Sequence, residues 1–464
     1  MLRGLFLLRG NIMIGFDYGT SNCAVGVMEN DHPELIKLTD NSRYLPSTLY
    51  APSREIIVNW LYQQLPPEEQ HTFKKLRMLP LQKGQSVARE LTLDGISTQL
   101  SFGQPALAAY LAEPEEGYYI KSPKSFLGAS GLMPQQINLF EDIVAAMMSN
   151  IKTITEAKLN REVTQTVIGR PINFQGLKGE ESNQQALTVL SNAAKRVGFR
   201  DVEFQYEPVA AGFEFESTLD KETKVLVVDI GGGTTDCSML LMGPEFSLLN
   251  DRKDHLLGHS GVRIGGNDFD IQLALKGLMP EFGLDSLLKT NKPVPSYSYW
   301  QAMAINNIND QTEFYSQSNR RYLEQLQRDA KQPELIERLL HLQEQKLSYR
   351  LVNGAEQGKI ALTDSDKTPI DLTDISPELS VTVSRALMAQ SANQELNTIA
   401  NIMQQAIEQA QCQPDVVFVT GGTAKSPVIN QFLTKQMPNT PVVIGDHFGS
   451  VTAGLTRWAA RIFS

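Results

Sequence analysis

The chain has 464 residues, 41% hydrophobic and 20% charged, with 33 Gly and 23 Pro; this suits about two to four globular domains and excludes collagenous, low-complexity and generally disordered states. Its 42 Lys+Arg against 52 Asp+Glu leave a net charge of -10, which argues against nonspecific nucleic-acid binding, and no run approaches the roughly 18 apolar residues of a membrane-spanning helix. Cys23, Cys237 and Cys412 lie far apart without CxxC spacing, which points to neither a disulfide framework nor a zinc site and fits a reducing, cytoplasmic compartment.

Residues 1–12 precede the first recognisable strand at Met13. Their apolar run, Leu5 to Leu8, is shorter than a signal-peptide core and meets Arg9 directly, so the segment reads as an upstream-start artefact or a disordered tail. Beyond it, strand patterns alternate with helical ones, the mark of an α/β chain with covered sheets. The first strand, from Ile14, carries Asp17 into a turn of Gly19, Thr20, Ser21 and Asn22, and a second strand follows from Ala24 to Met28. Phe140, Ile143, Val144, Met147, Met148 and Ile151 recur at helical spacing and predict a core-facing helix.

The first plan then returns. The strand at Val227 carries Asp229 into Gly231, Gly232, Gly233, Thr234 and Thr235, with Asp236 opening a strand from Cys237 to Met242. A β-hairpin is thus carried twice, about half a chain apart. The polar stretch from Lys289 to Tyr315 holds Tyr297, Tyr299, Trp300, Phe314 and Tyr315; it reads as an insertion whose aromatics pack on the body in preference to facing a partner. Residues 319–350 are charged and helical, with apolar stripes broken at Pro333. A third glycine turn, Thr420 to Thr423 through Gly421 and Gly422, leads into a helix near Pro427, where proline suits the first turn.

Glycine turns let backbone N–H groups approach a polyphosphate with no Cβ in the way, and the hydroxyls of Thr20, Ser21, Thr234 and Thr235 add further bonds. Asp17 and Asp229, at the strand ends beside these turns, would repel phosphate unless a divalent cation stood between. Mg²⁺, which keeps much of its water shell, resolves the conflict, with Asp236 and Glu207 as further acidic partners for its waters. A single glycine turn is weak evidence; two hairpins with matched aspartates and a third turn are strong.

In their order and spacing the three turns resemble the actin/sugar-kinase/heat-shock ATPase superfamily, in which two lobes clamp a nucleotide. Phe102-Gly-Gln-Pro-Ala106, Lys124-Ser-Phe-Leu-Gly128, Val167-Ile-Gly-Arg-Pro171, Tyr206-Glu207-Pro208-Val-Ala-Ala211 and Ile264-Gly-Gly-Asn-Asp268-Phe-Asp270 are similar to signatures of the heat shock protein 70 (DnaK-type) chaperones, and the chain also resembles members made of the ATPase region alone. The resemblance implies duplicated ribonuclease H-like domains with nucleotide in the cleft between lobes and no peptide-binding domain. It implies lobe I over 13–221 with an insertion at about 55–100, and lobe II over 222–446 with a helical insertion at about 280–345. A C-terminal helix over 447–464 would return to lobe I.

It also implies roles. Gly19, Thr20, Ser21, Asn22, Gly232, Gly233 and Thr234 would hold the β- and γ-phosphates, and Lys124 would reach the γ-phosphate, where a fixed charge stabilises phosphoryl transfer. The Lys-Ser-Phe-Leu-Gly register favours Lys124 over Lys121. Glu207 would orient the attacking water or hydrated Mg²⁺, though an ordinary surface acid also fits an Ala-rich helix start; Asp17, Asp229 and Asp236 complete the acidic cage. Pro171 matches a proline proposed to relay nucleotide state between lobes, and equally reads as a strand-ending proline. Gly266, Glu356, Lys359, Ile360 and Thr363, with Gly421, Gly422, Thr423 and Lys425, would receive the nucleoside. For Cys23 and Cys237, beside the two hairpins, the core-cysteine reading outweighs a redox switch.

The chain departs from the family in places. Ile360 and Lys425 stand where two arginines sandwich adenine, so guanidinium stacking is lost on both sides and an apolar contact remains. Asn267 replaces a glutamate, and the aspartate expected late in the adenosine segment is out of register within Asp446 to Ser450. Glu203 replaces an arginine used by J-domain partners, which speaks against that docking.

The leading expectation is therefore an ATP/ADP-binding, Mg²⁺-dependent slow ATPase acting as a chaperone-like switch. The alternatives are a nucleotide-sensing module with little hydrolysis, a small-molecule kinase of the same superfamily, and an actin-like polymer. A monomer is expected, with a client or regulator meeting the 280–345 insertion and neither nucleic acid nor membrane as partner.

Overall fold

The computed structural model describes residues 12–112, 117–174, 179–246, 249, 252–445 and 449–463. The N-terminal extension up to residue 11 and the out-of-register stretch from Asp446 to Phe448 lie outside the described residues; Ile12 is already part of the first strand.

The duplicated hairpin is the seed of a duplicated sheet. Strands β1 (Ile12–Tyr18), β2 (Asn22–Glu29), β3 (His32–Leu35) and β4 (Leu45–Pro46) open the chain, followed by a three-stranded sheet of β5 (Thr48–Ala51), β6 (Ser101–Phe102) and β7 (Tyr118–Lys121). Then β8 (Val163–Arg170) and β9 (Asp201–Tyr206) complete the first sheet in the order β3-β2-β1-β8-β9, with β4 on β2. Strands β10 (Thr223–Ile230), β11 (Thr235–Met242) and β12 (Leu256–Val262) begin the second. A hairpin of β13 (Lys367–Asp371) and β14 (Ser380–Ser384) stands apart, and β15 (Val416–Thr420) with β16 (Val442–Ile444) completes the order β12-β11-β10-β15-β16. In both sheets the first three strands form an antiparallel meander and the last two add parallel to the first. Parallel strands need crossovers and covered faces, which is why β10 is buried along almost its whole length.

Covering helices follow the apolar stripes. In the helix Pro134–Leu159 the predicted Phe140, Ile143, Val144, Met147, Met148 and Ile151 are all buried. The final helix, Gly449–Ile462, packs on β1 and on the helix Glu207–Glu216. Its approach is close: a Cβ on Gly15 or Gly26 would overlap Thr456, and one on Gly454 would overlap the Ala210 carbonyl.

Two compact units divide the chain: Met1–Arg263 with Asn401–Ala424 and Asn439–Ser464, and Ile264–Ala400 with Lys425–Pro438. The first holds both five-membered strand series and an insertion of three helices, Ile56–Gln64, Pro67–Leu76 and Met78–Leu93. Arg77, between the last two, anchors the insertion by donating to Asp142 and Glu141 of the helix Pro134–Leu159 at 2.9 and 2.8 Å. Arg196 joins the same buried carboxylates.

The second unit is largely helical. The helices Gln317–Asp329 and Pro333–Glu344 break where Pro333 predicts, and Ser348–Ala361 follows. The aromatics of the insertion divide: Tyr299 and Phe314 are fully buried and Tyr315 donates to Ser348 Oγ at 2.7 Å, while Tyr297 and Trp300 are 66% and 37% exposed. Among the described residues no helix is long and apolar enough to cross a membrane.

Candidate active site

Antiparallel pairing of β1 with β2 sets Tyr18 opposite Cys23 and leaves Gly19 to Ser21 as the connecting turn. Glycine is required at the first position, because a Cβ on Gly19 would overlap the Asn22 carbonyl. Ser47 fixes this turn from the side, donating to Gly19 O at 2.7 Å. In the second hairpin Asp229 lies opposite Asp236 and Ile230 opposite Thr235, and Gly231 N–H donates to Thr234 O at 2.9 Å. The two turns meet: a Cβ on Gly232 would overlap the Ser21 hydroxyl. The third turn joins them through Gly421, whose φ of +91° favours glycine and where a Cβ would stand 2.8 Å from Asp229 Oδ1.

Lys124 reaches the same place by a different route. After β7, Ser122 adopts a left-handed conformation, φ +57°, and starts the 3₁₀ turn Pro123–Phe126. That turn buries Lys124 to 4% exposure and sends Nζ to Gly169 O at 3.2 Å and to Glu207 Oε1 at 2.5 Å. Glu207 opens the helix Glu207–Glu216 with Pro208 behind it, a place where the helix N-terminus favours a carboxylate. Lys121 instead stays in β7, paired with Thr48.

Three more carboxylates crowd this ion pair. Burial, then Glu207, push Asp17 up to about 7, with Lys124 opposing. Burial, then Glu207, Asp236 and Asp17, push Asp229 well above the usual carboxylate range. Asp236 is pushed up to about 8 by burial and Glu207, although Ile172 N–H donates to its Oδ1 at 3.0 Å. Four acidic side chains thus share one ammonium, a deficit of positive charge that a divalent cation corrects. Among the described residues no three His, Cys, Asp or Glu side chains converge tightly enough to hold a metal ion directly.

Neighbouring details escaped the sequence. The Gly169 carbonyl and the Ile172 N–H are main-chain partners that no residue type advertises. Pro171 is buried beside Arg170, whose guanidinium lies 4.8 Å from the Tyr206 ring centroid and donates to the carbonyls of Pro171 and Ile172. The segment after β8 therefore runs from Arg170 to the Asp236 contact. Cys23 and Cys237 are buried thiols, the first pushed up to about 12 and the second well above its usual value, chiefly by burial. Neither is a ready nucleophile or redox sensor.

Of the nucleoside candidates in the second unit, the fold brings Gly266 and Lys359 together. Gly266 opens the helix Gly266–Leu273, and Lys359 Nζ bonds Gly266 O at 3.1 Å and pairs with the buried Asp270 at 2.7 Å. Asp270 was legible as the last residue of the Gly-Gly-Asn-Asp-Phe-Asp motif, one helical turn beyond Gly266, yet its link to Lys359 was not. Glu356 is half-buried on the same helix as Lys359, and Ile360 is 53% exposed. Arg385 donates to the carbonyls of Leu362 and Thr363, both at 2.8 Å, and so holds the end of that helix. Lys425 and Gly422 are exposed and Thr423 is buried.

Residues 132–292 match the protein-family model described as Hsp70 protein. The match spans about a third of the chain and supports Hsp70-type family membership. The match takes in the Glu207 helix, the second hairpin and the Gly266 helix start, while the first hairpin and Lys124 lie outside it. The matched region suggests a nucleotide-binding, chaperone-type ATPase function and implies the actin-like ATPase superfamily, with which the mixed α/β architecture is consistent.

Proposed function

We propose that this Hsp70-type chain binds ATP or ADP with Mg²⁺ and hydrolyses ATP slowly as a conformational switch. The observation that carries the reading is the buried Lys124–Glu207 pair, set among Asp17, Asp229 and Asp236 beside two touching glycine turns. Gly19, Thr20, Ser21 and Asn22 on one turn, and Gly232, Gly233 and Thr234 on the other, would offer N–H and hydroxyl donors to the phosphates.

Lys124, steadied by Gly169 O, would offset the charge developing on the transferred phosphoryl group. Glu207 would accept a hydrogen bond from the attacking water and orient it for in-line attack. Asp17, Asp229, Asp236 and Glu207 would hold Mg²⁺ largely through its waters; when bound, the ion would neutralise phosphate charge.

The nucleoside roles of Gly266, Glu356, Lys359, Ile360, Thr363 and Lys425, and of Gly421 to Thr423, are a separate proposal. With no guanidinium plane at either Ile360 or Lys425, ATP and GTP should be poorly distinguished. The principal test is ATP turnover by the purified chain with Mg²⁺, with Lys124→Ala and Glu207→Ala as controls. If ATP neither binds nor turns over, the reading fails.

A second reading, a nucleotide-sensing module, is favoured by the exposed Tyr297 and Trp300, which lie one turn apart on the helix Tyr297–Met303 of the insertion. Tight nucleotide binding without turnover, together with a partner lost on deleting residues 285–345, distinguishes it from the first.

A further inference from the structure

The helices Pro67–Leu76 and Met78–Leu93 of the first unit meet at Arg77, and around that junction Leu76, Met78 and Leu79 are 58%, 55% and 71% exposed. These side chains are not part of the packing of the helices that carry them. Phe73 and Leu81 make the core contacts there and are buried, and Arg77 turns inward to Asp142 and Glu141, which ties the corner to the body. A single exposed leucine is ordinary, whereas three large apolar side chains within four residues form a patch of the kind that marks an interaction site.

The charge around the corner has one sign. No Asp or Glu occurs between Gln70 and Arg89, and the same stretch holds Lys74, Lys75, Arg77, Lys83 and Arg89, in a chain whose net charge is -10. Arg77 is engaged by the buried carboxylates and Lys83 by Glu55 at 2.8 Å. Lys74 and Lys75 are exposed in the last turn of their helix, where they also suit its dipole, while Glu68 and Glu69 stand in the first turn at the opposite end. Among the described residues neither lysine has an ion-pair partner. Lys75 directly precedes Leu76, so two flexible ammonium groups flank the apolar tip and can stay in a polar layer while the tip leaves water.

We infer that this corner seats the chain on a bilayer carrying anionic lipids, with Leu76, Met78 and Leu79 entering the boundary between headgroups and acyl chains and Lys74 and Lys75 meeting lipid phosphates. Side chains this open line no groove, so a peptide would have nothing to lie in, whereas a fluid interface closes around a projecting corner without a matched shape. The acidic remainder of the chain is repelled by the same surface, which selects the orientation. The contact is peripheral and needs no spanning helix. Whole-chain charge, which spoke against a membrane partner, averages this corner away. The corner shares no residue with the glycine turns and stands or falls independently of the ATPase reading.

The test is co-sedimentation of the nucleotide-free chain with sucrose-loaded vesicles, either of phosphatidylcholine alone or of equal parts phosphatidylcholine and phosphatidylglycerol. The expected result is reversible binding to the mixed vesicles, about tenfold or more tighter than to phosphatidylcholine alone and weakened by salt. Lys74→Gln with Lys75→Gln should weaken that binding about tenfold or more, and Met78→Ser with Leu79→Ser by a similar factor. Leu93→Ser, at the other end of the same helix and 86% exposed, should leave it unchanged. A nitrobenzoxadiazole label on Leu79→Cys, in a Cys412→Ser background, should shift to the blue on the mixed vesicles, a change that adsorption through charge alone does not produce. Thermal melts of every variant separate loss of the surface from loss of the fold. Equal binding to the two vesicles, binding indifferent to either double variant in folded protein, a label that stays in water, or Leu93→Ser as damaging as the Met78 and Leu79 changes would overturn the inference. So would the absence of vesicle binding, in which case a dimer lost in the Met78→Ser, Leu79→Ser chain would assign the corner to a second copy, and lysine-dependent retention on poly-glutamate would assign it to an acidic protein.

Discussion

Gly232 faces Ser21 so closely that a Cβ on the glycine would overlap the serine hydroxyl and stand 2.8 Å from the serine Cβ. The two glycine turns, more than two hundred residues apart in the chain, therefore meet at an interface where one has no side chain because the other fills the space. Gly232→Ala should push them apart and weaken ADP binding about tenfold or more. Ser21→Gly in the same chain should restore part of that loss. The double-mutant cycle measured by calorimetry should give a coupling on the order of 0.5–3 kcal/mol, as for residues in direct contact. Additive effects would mean that the turns do not work as one site.

The Lys124–Glu207 pair yields a different prediction, because it separates binding from chemistry. Lys124 is the ammonium set against four carboxylates, and in the proposed reading its fixed charge would act on the transferred group. Lys124→Ala should lower single-turnover ATP hydrolysis by about 100- to 1,000-fold, the loss seen when one preorganised electrostatic group is removed. ADP affinity should change much less, since ADP lacks the phosphate that Lys124 would serve. Equal losses in affinity and rate would assign Lys124 to holding the fold of the site.

How far the site could be read from the sequence depends on what kind of group does the work. Asp17, Asp229 and the glycine turns were legible because their chemistry recurs in two copies with matched spacing, and the sheets repeat that duplication strand for strand. Lys124 could be chosen over Lys121 on its motif, but the left-handed Ser122 that turns it inward carries no glycine or asparagine to announce it. Gly169 O and Ile172 N–H are backbone groups, visible only once β8 and its neighbours have folded. Lys359 carried a nucleoside role from the resemblance, whereas the fold also gives it Asp270 as an ion-pair partner.

Crowded carboxylates make stability depend on pH in a specific direction. The folded pKa values of Asp17 and Asp236 are raised to about 7 and about 8, above the ordinary value of 3.8. Between pH 4 and 8, approximately, the folded chain therefore holds protons that the unfolded chain has released, and raising the pH favours unfolding. Metal-free, nucleotide-free protein should lose melting temperature as pH rises through this window and level off above it. Mg²⁺ with ADP should flatten the slope, because the cation takes the place of the protons. Melting curves from pH 5 to 8.5, with and without Mg-ADP, provide the check; a metal-free protein that gains stability with pH would contradict the crowding.

The three helices over 56–93 in the first unit offer a prediction about stability alone. Arg77 is 4% exposed, and its Nε contacts Asp142 at 3.2 and 2.9 Å while its Nη2 reaches Glu141 at 2.8 Å. Removing it leaves two buried carboxylates with Arg196 and, for Glu141, the Asn192 amide. Arg77→Ala should cost about 3–5 kcal/mol, the range for breaking a buried ion pair from one side. Lys83 makes a pair of the same length, 2.8 Å to Glu55, but its side chain is 64% exposed, and Lys83→Ala should cost less than about 1 kcal/mol. Urea unfolding of the two variants side by side separates buried from exposed charge. If Arg77→Ala costs no more than Lys83→Ala, the three inserted helices are held by their apolar contacts alone, and the buried cluster contributes nothing to their anchorage.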